Sequence, residues 1–248
     1  MDEKNKRKNY IIGRNAVREA FKSGRPIDTL FVLSGEKSGS IKDIINKASE
    51  KKITLKYVNK KSMDSLAKGE NHQGIIAVVG AKKSCSVDDI LNYAKSKNEP
   101  PFVIIADGIE DPHNLVAIIR TAECVGAHGV VIPKRRSVGI TFGVDKSSAG
   151  ALEYVLVAKV SNISSVVEDL KEKGLWIYGA DMDGKKWSEE SLIGPLALVV
   201  GSEGKGISKL VKSKCDFILS LPMVGKINSL NASVAAGVLM YEVRRQRG

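Results

Sequence analysis

Two uninterrupted apolar runs, Phe102–Ala106 (FVIIA) and Leu196–Val200 (LALVV), limit what this chain can fold into more than any other feature. A strand with one wet face alternates apolar and polar residues, whereas a strand covered on both faces reads as a continuous run. Such strands belong to a parallel sheet with helices on either side. The surrounding pattern agrees. Strand Phe102–Ala106 leads through a loop into a helix over Leu115–Val125. Strand Gly129–Ile132, a loop Lys134–Gly143 carrying Lys-Arg-Arg, a helical turn near Asp145–Ala149 and strand Tyr154–Ala158 follow. Helix Ile163–Lys173, strands Leu175–Ala180, Leu196–Val200 and Phe217–Leu221, and a long helix over Leu230–Arg244 complete the alternation. The fold class is α/β with a parallel sheet, and ligands of such sheets bind in loops beyond the carboxyl ends of the strands.

A smaller α/β pattern precedes this one. Asn15 is placed to cap a helix over Ala16–Lys22, closed by Gly24, and strand Thr29–Leu33 follows. Ser40 is placed to cap a second helix, whose Ile41, Ile44, Ile45 and Ala48 share one face. Strand Ile53–Tyr57, a helix near Ser62–Ala67 and strand Gly74–Val79 close the unit. The stretch between Gly80 and Pro101 holds only a short polar helix, Val87–Ala94, and ends in two prolines that cannot continue it, so it reads as a linker. The division is a disordered charged tail at 1–9, a first domain at 10–80, a linker at 81–101 and a second domain at 102–248.

Charge separates the two domains. Residues 1–83 carry 19 basic and 9 acidic side chains, and residues 84–248 carry 20 and 19, so nearly all of the net +11 sits in the first third. A concentrated positive field attracts polyanions, and phosphate neutralisation with counterion release is the usual source of nucleic-acid affinity. The alternative is a lysine-rich solvated face that aids solubility. Aromatic residues are sparse there (Tyr10, Phe21, Phe31, Tyr57), so the expected grip is on backbone and shape rather than by stacking. Arg14 and Arg18 in the first domain, and Lys134, Arg135 and Arg136 in the basic loop of the second, are the candidate nucleic-acid contacts.

Other classes are excluded. With 43% apolar and 27% charged residues in 248, most of the chain is no disordered polymer. The longest charge-free stretch, Ile227–Tyr241, is shorter than the roughly 20 residues of a membrane span. The N-terminal MDEKNKRKN has no apolar region behind it, which argues against a signal peptide and for a cytoplasmic protein. Cys85, Cys124 and Cys215 are odd in number and scattered, and His72, His113 and His128 form no ligand spacing with them, so no disulfide framework or metal site is expected.

Three loops carry the chemistry: Asp107–Asn114, opening the helix that contains Arg120; Gly201–Ser208, directly after a buried strand; and Leu221–Ser233, opening the last helix. A glycine-rich loop after a strand suggests phosphate or dinucleotide binding. Gly201–Ser208, however, lies near the end of its domain and lacks the order of glycine, lysine and hydroxyl that a P-loop needs. Taken singly, Asn114, Ser229 and Asn231 could be helix caps, Arg120 a solvated helix charge and Glu203 a loop carboxylate. The joint spacing points elsewhere.

Together the loops resemble the three motifs of the SpoU branch of the SPOUT class of RNA 2′-O-ribose methyltransferases. Asn114 and Arg120 match the first motif, Gly201 and Glu203 the second, and Pro222 through Ser229-Leu230-Asn231-Ala232-Ser233 the third. Residues 10–80, through Tyr10–Val17 and His72–Ala77, resemble the small substrate-binding domain, related to ribosomal proteins of the L30 and L7 type, of the enzymes that methylate guanosines of 23S ribosomal RNA. The resemblance implies S-adenosylmethionine as methyl donor, a deep trefoil knot in the second domain, a homodimer, and ribosomal RNA as partner. It implies catalytic roles for Arg120, Asn114, Glu203 and Asn231, and a cofactor bed formed by Gly201, Glu203, Leu221, Met223, Ser229, Leu230 and Asn231. Transfer RNA as substrate, or a non-catalytic RNA-binding or ribosome-assembly role on the same fold, are the alternatives. The last helix, rich in Ala232, Ala235, Ala236 and Gly237, has one apolar stripe at Leu230, Val234, Val238 and Tyr241 and another at Leu239 and Val243. Burial nearly all round suits threading through a loop, packing at a dimer seam, or simple burial in a monomer core.

Overall fold

The computed structural model describes residues 9–36, 39–80, 85–134, 151–227 and 229–248. The tail apart from Asn9, Arg135 and Arg136, and the helical turn expected near Asp145–Ala149 lie outside the described residues.

The chain forms two compact units. The smaller holds a four-stranded sheet, ordered β1 (Asn9–Ile12), β4 (Ile75–Val79), β2 (Ile27–Leu33), β3 (Thr54–Val58). β4 runs antiparallel to both neighbours, while β2 and β3 are parallel. Helices α1 (Arg14–Lys22) and α2 (Gly39–Glu50) bury Val17, Phe21, Ile41 and Ile44 against one face. Helix α3 (Lys60–Ala67) buries Met63 and Ala67 against the other. Neither expected cap performs that role. Asn15 lies inside α1, whose N-cap is Gly13 at φ 92°, and the Arg14 N–H donates instead to Gln73 Oε1 at 2.9 Å. Ser40 lies inside α2 and accepts from the Arg14 guanidinium at 2.9 Å.

This unit also claims Ala151–Tyr154. The strand expected from Tyr154 begins only at Leu156, because Tyr154 is engaged elsewhere, its hydroxyl donating to Glu19 at 2.6 Å. Glu153 pairs with Arg25, and both side chains are at least nine-tenths buried.

The larger unit is a six-stranded, wholly parallel sheet in the order β10 (Phe217–Ser220), β8 (Trp176–Lys186), β9 (Leu196–Gly201), β5 (Phe102–Asp107), β6 (Gly129–Pro133), β7 (Leu156–Val160). The two continuous apolar runs are its adjacent central strands, paired from Phe102↔Leu196 to Asp107↔Gly201. One face carries α4 (Val87–Ser96), α6 (Ile163–Glu172) and the short α7 (Lys209–Lys212), with Ile90, Val167, Leu170 and Val211 in a common core. Helix α5 (Pro112–Cys124) and the last helix, α8 (Ala232–Arg247), pack on each other, α8 also meeting β9.

The segment read as a linker carries part of this core. Ile90 and Ala94 are fully buried, and a Cβ at Gly129 would fall 2.5 Å from Ile90 Cδ1, so α4 lies directly on β6. Helix α4 begins with a reciprocal capping box, Ser86 and Asp89 each accepting from the other's backbone N–H. Strand β8 likewise runs past the expected Ala180 to Lys186 through Asp-Met-Asp-Gly-Lys-Lys. Gly184 permits this, because a Cβ there would stand 2.3 Å from the Ile218 carbonyl oxygen of β10.

His128 is a structural histidine. It is 2% exposed, its Nδ1 accepts from the Phe102 N–H at 3.0 Å, and its Nε2 faces Glu99 at 3.1 Å. Burial lowers its pKa from 6.5, the Glu99 carboxylate offsetting part of the effect. The unfolded chain therefore takes up a proton more readily than the folded one. His128 contributes its full stability above pH ~6.5, and that contribution is lost as pH falls through the folded value. Urea midpoints should drop between about pH 7.5 and pH 5, and His128→Gln should reduce the drop. An equal drop in the variant would contradict this assignment.

Candidate active site

The strand order reverses between β5 and β9: β6 and β7 are added on one side of β5, β8 and β10 beyond β9. Diverging loops at the carboxyl ends of such a pair open a ligand crevice. Each of the three loops singled out in the sequence leaves the carboxyl end of a strand: the first follows β5, the second β9 and the third β10.

Side-chain hydrogen bonds pull the three loops to one point. Asn114 Nδ2 donates to Glu203 Oε1 at 3.0 Å, and Asn231 Nδ2 donates to Asn114 Oδ1 at 2.9 Å and also to Glu203 Oε1. The other end of the Asn231 amide caps α8, Oδ1 accepting from the N–H groups of Ser233 at 3.0 Å and Val234 at 3.3 Å. Both ends of Asn231 are thus used. Asn114 is not its helix's cap: Asp111 is, accepting from His113 N–H at 2.9 Å, with Pro112 in the first turn. That start places Asn114 inside α5, buried to 6% exposure. Asp107, to which sequence reasoning gave no role, ties the first two loops by accepting from the Ser208 N–H at 2.8 Å. Its position at the carboxyl end of a buried strand was the available signal.

The second loop folds back on itself. Ser202 and Gly206 exchange backbone hydrogen bonds at 3.1 and 2.9 Å, and Gly204 and Gly206 take positive φ of 80° and 63°. A Cβ on Gly201 would lie 2.0 Å from the Gly206 carbonyl carbon, so only glycine admits this closure. Lys212 braces the neighbouring strand through Asp181 at 3.0 Å, a hydrogen bond that raises the lysine pKa. Cys215 is a half-buried thiol whose pKa is pushed up to about 11 by desolvation and the adjacent Asp216.

A cavity of about 200 Å³ lies between the first two loops, lined by Ile109, Glu110, Asp111, Asn114, Ser202, Glu203 and Lys205. Three carboxylates against one ammonium suit a cationic ligand group such as a sulfonium. The cavity is smaller than the ~300–1,000 Å³ of a complete small-molecule pocket. No described residue of the third loop lines it; in that loop Leu221 and Met223 are half-buried and the flanking backbone, among the described residues, makes no hydrogen bond within the chain. Unpaired N–H and C=O groups beside apolar side chains are what a purine needs. The residues present therefore fit S-adenosylmethionine.

Other expected site residues are placed differently. Ser229 and Leu230 are exposed, beside Asn231. Arg120 is exposed, and among the described residues no hydrogen bond or ion pair holds it. Six positions beyond Asn114, it sits roughly 120° around α5 and ~9 Å along it, so one chain does not bring it to the three-loop junction. Lys134 is exposed at the end of β6, its backbone N–H donating to Val160 at 2.7 Å. Arg14 and Arg18 lie together in the smaller unit, each reaching Ser40. Among the described residues no cluster of His, Cys, Asp and Glu could hold a metal ion, and no helix is long and apolar enough to cross a membrane.

A doubly covered parallel sheet with a crevice of three knitted carboxyl-end loops, preceded by a separate basic α/β unit, defines a two-unit α/β ligand-binding protein. The chain belongs to the SpoU rRNA methylase family, a family of RNA methyltransferases, whose pattern matches residues 101–241. The pattern of RNA 2′-O-ribose methyltransferase substrate-binding domains matches residues 10–85. The chain is 49% identical over 240 residues to YacO of Bacillus subtilis (strain 168), assigned to the TrmH family of tRNA/rRNA methyltransferases, covering 96% of each. A relative of the same assignment from Staphylococcus haemolyticus is 45% identical over 238 residues, covering 96% of this chain and 95% of that one. Among solved structures, the SpoU methyltransferase AviRb of Streptomyces viridochromogenes superposes with a TM-score of 0.82 at 23% identity, covering 97% of this chain and 90% of that one. A second AviRb structure, with AdoMet bound, gives a TM-score of 0.78 at 25% identity over 96% and 90%.

Proposed function

We propose that this protein transfers a methyl group from S-adenosylmethionine to the ribose 2′-hydroxyl of a guanosine in 23S ribosomal RNA, in the cytoplasm. The observation that carries the reading is the Asn114–Glu203–Asn231 junction, which joins three motif loops far apart in sequence. S-adenosylmethionine, when bound, supplies an electrophilic methyl on a cationic sulfur. Gly201, Leu221, Met223, Ser229 and Leu230 hold it, chiefly through backbone groups, while Glu203, fixed by two amides, keeps a negative charge beside it. Asn114 and Asn231 act as positioning residues that lock the loops before substrate arrives. The reacting hydroxyl loses its proton as it attacks, so negative charge develops on oxygen. Arg120, whose guanidinium stays protonated, stabilises that charge rather than accepting the proton.

Arg120 completes this site from the partner chain of a homodimer. Leu230, just before α8, and Val234, Val238 and Tyr241 on its stripe are 39–55% exposed, while Ala236, Leu239, Met240 and Val243 on the opposite side are buried. Within one chain the helix is thus covered on one side only, and an apolar stripe of this kind favours a second copy of the chain, which would complete the expected burial nearly all round. Pairing there sets α5, the neighbour of α8, next to the seam. Val238→Glu should convert a two-chain mass in light scattering into a one-chain mass. A one-chain mass for the parent protein would contradict the dimer. The trefoil threading of the segment after β10 belongs to the same proposal, as the device that holds the third loop against the second.

Mapping ribose methylation in cells with and without the protein tests the substrate. The reading expects one guanosine of 23S ribosomal RNA to lose its methyl group. A loss confined to transfer RNA, or no loss at all, would overturn it.

A further inference from the structure

The smaller unit contains an open cleft of about 430 Å³ lined by Arg14, Asn15, Arg18, Ser40 and Gln73. It unites the two segments, near Arg14 and near Gln73, on which the likeness to a substrate-binding domain rests. The geometry is built rather than incidental. Gln73 takes a positive φ of 51°, and its Oε1 accepts from the Arg14 N–H, while its amide NH₂ has no partner among the described residues and is available to the cleft. Arg14 is fixed by three partners: the Gln73 carbonyl at 2.8 Å, Ser40 Oγ at 2.9 Å and Glu36 at 3.6 Å. Arg18 donates to the Ser40 carbonyl at 3.3 Å and stands 4.0 Å from Asp43.

The remaining hydrogen-bonding capacity is mostly donor. Each guanidinium keeps N–H groups beyond those already used, Ser40 keeps its O–H, and Gln73 and Asn15 present amides. Such a wall selects an anion, and two guanidiniums favour the oxygens of a phosphate. The volume is far more than a phosphate fills and lies within the ~300–1,000 Å³ of small-ligand pockets. Amides that can both donate and accept match the edge of an unpaired base, whose recognition is the usual route to sequence-specific RNA binding.

We propose that this cleft is a subsite for one unpaired nucleotide of the RNA substrate, with Arg14 and Arg18 on its phosphate and Asn15 and Gln73 on its base edge. The proposal rests on the reading of RNA as substrate and adds where, and in what form, the RNA is read. Fluorescence anisotropy of the full chain with a labelled ten-nucleotide single-stranded RNA, against a ten-base-pair RNA duplex, tests it. The double variant Asn15→Ala/Arg18→Ala should weaken single-strand binding at least tenfold and duplex binding less than threefold. Equal losses on both probes, or no loss on the single strand, would overturn the subsite. Should the double variant fail to fold, Asn15→Ala alone replaces an exposed side chain and should still weaken the single-strand probe selectively, with the same overturning results. S-adenosylmethionine binding by calorimetry separates the two readings: its absence in the parent protein defeats the methyltransferase and leaves the cleft result standing.

Discussion

Arg120→Ala is expected to lower kcat for RNA ribose methylation by roughly 10²–10³-fold while S-adenosylmethionine affinity stays within about threefold of the parent value. The magnitude is that of removing one donor aimed at an oxygen that becomes charged in the transition state. The small effect on the cofactor follows from position: Arg120 is exposed, and it lies away from the Asn114–Glu203–Asn231 junction of its own chain. Arg120→Lys should recover little, since an ammonium lacks the planar fork that holds an arginine on phosphate and alkoxide together. Single-turnover rates with calorimetric cofactor titration check both halves. Near-parental turnover would remove Arg120 from the chemistry, and a parallel collapse of cofactor affinity would recast it as a structural residue.

The second large effect is expected at Asn231. Asn231→Ala removes the N-cap of α8, worth about 1 kcal/mol, and strands Asn114 and Glu203 without their shared donor, at roughly 1–3 kcal/mol. A total of about 2–4 kcal/mol should lower the melting temperature of the larger unit by roughly 5–15 °C and weaken S-adenosylmethionine binding more than tenfold. Asn231→Ser separates the two roles. Serine caps helices well but cannot reach across to both Asn114 and Glu203, so it should restore part of the melting temperature and none of the cofactor affinity. Recovery of both would reduce Asn231 to a cap, and a parental melting temperature in Asn231→Ala would dismiss the junction as an energetic element.

How much of this was legible in the sequence depended on how locally each feature is encoded. The central strands were readable because burial on both faces leaves an unbroken apolar run, and β5 and β9 pair as neighbours, as those runs imply. Polar Asp181–Lys186 was not readable as strand, because its extension depends on Gly184 letting the β10 backbone approach. Helix α4 was readable as a short polar helix at Val87–Ala94, but its place in the core was concealed by that polarity, since only Ile90 and Ala94 are fully buried and their partner, Gly129, lies on a later strand. The helix starts at Asn15 and Ser40 failed for a related reason. The first orphan N–H of α1 is satisfied by Gln73, 59 residues away, which no local capping rule can anticipate.

The site divides the same way. Loop positions followed from strand ends, and Asn114, Glu203 and Asn231 were singled out through a family pattern of spacings rather than through any chemistry visible in one residue. Their meeting depends on β5 and β9 being adjacent and on α8 returning to the sheet beside α5, which is tertiary information. Arg247 helps fix that return, donating to the carbonyls of Pro100 at 2.9 Å and Gly194 at 2.6 Å and covering the Phe102 ring. An arginine at the last position of a helix would ordinarily pass as a solvated charge favoured by the dipole.

The most direct measurement of the central claim uses tritiated methyl S-adenosylmethionine, the full-length protein and protein-free ribosomal RNA from cells lacking it, followed by complete alkaline hydrolysis. Alkaline cleavage of RNA needs a free 2′-hydroxyl, so a ribose methyl protects the adjoining phosphodiester. Tritium is expected in alkali-resistant dinucleotides. Tritium in mononucleotides would place the methyl group on a base and contradict the account, as would its absence from the RNA altogether.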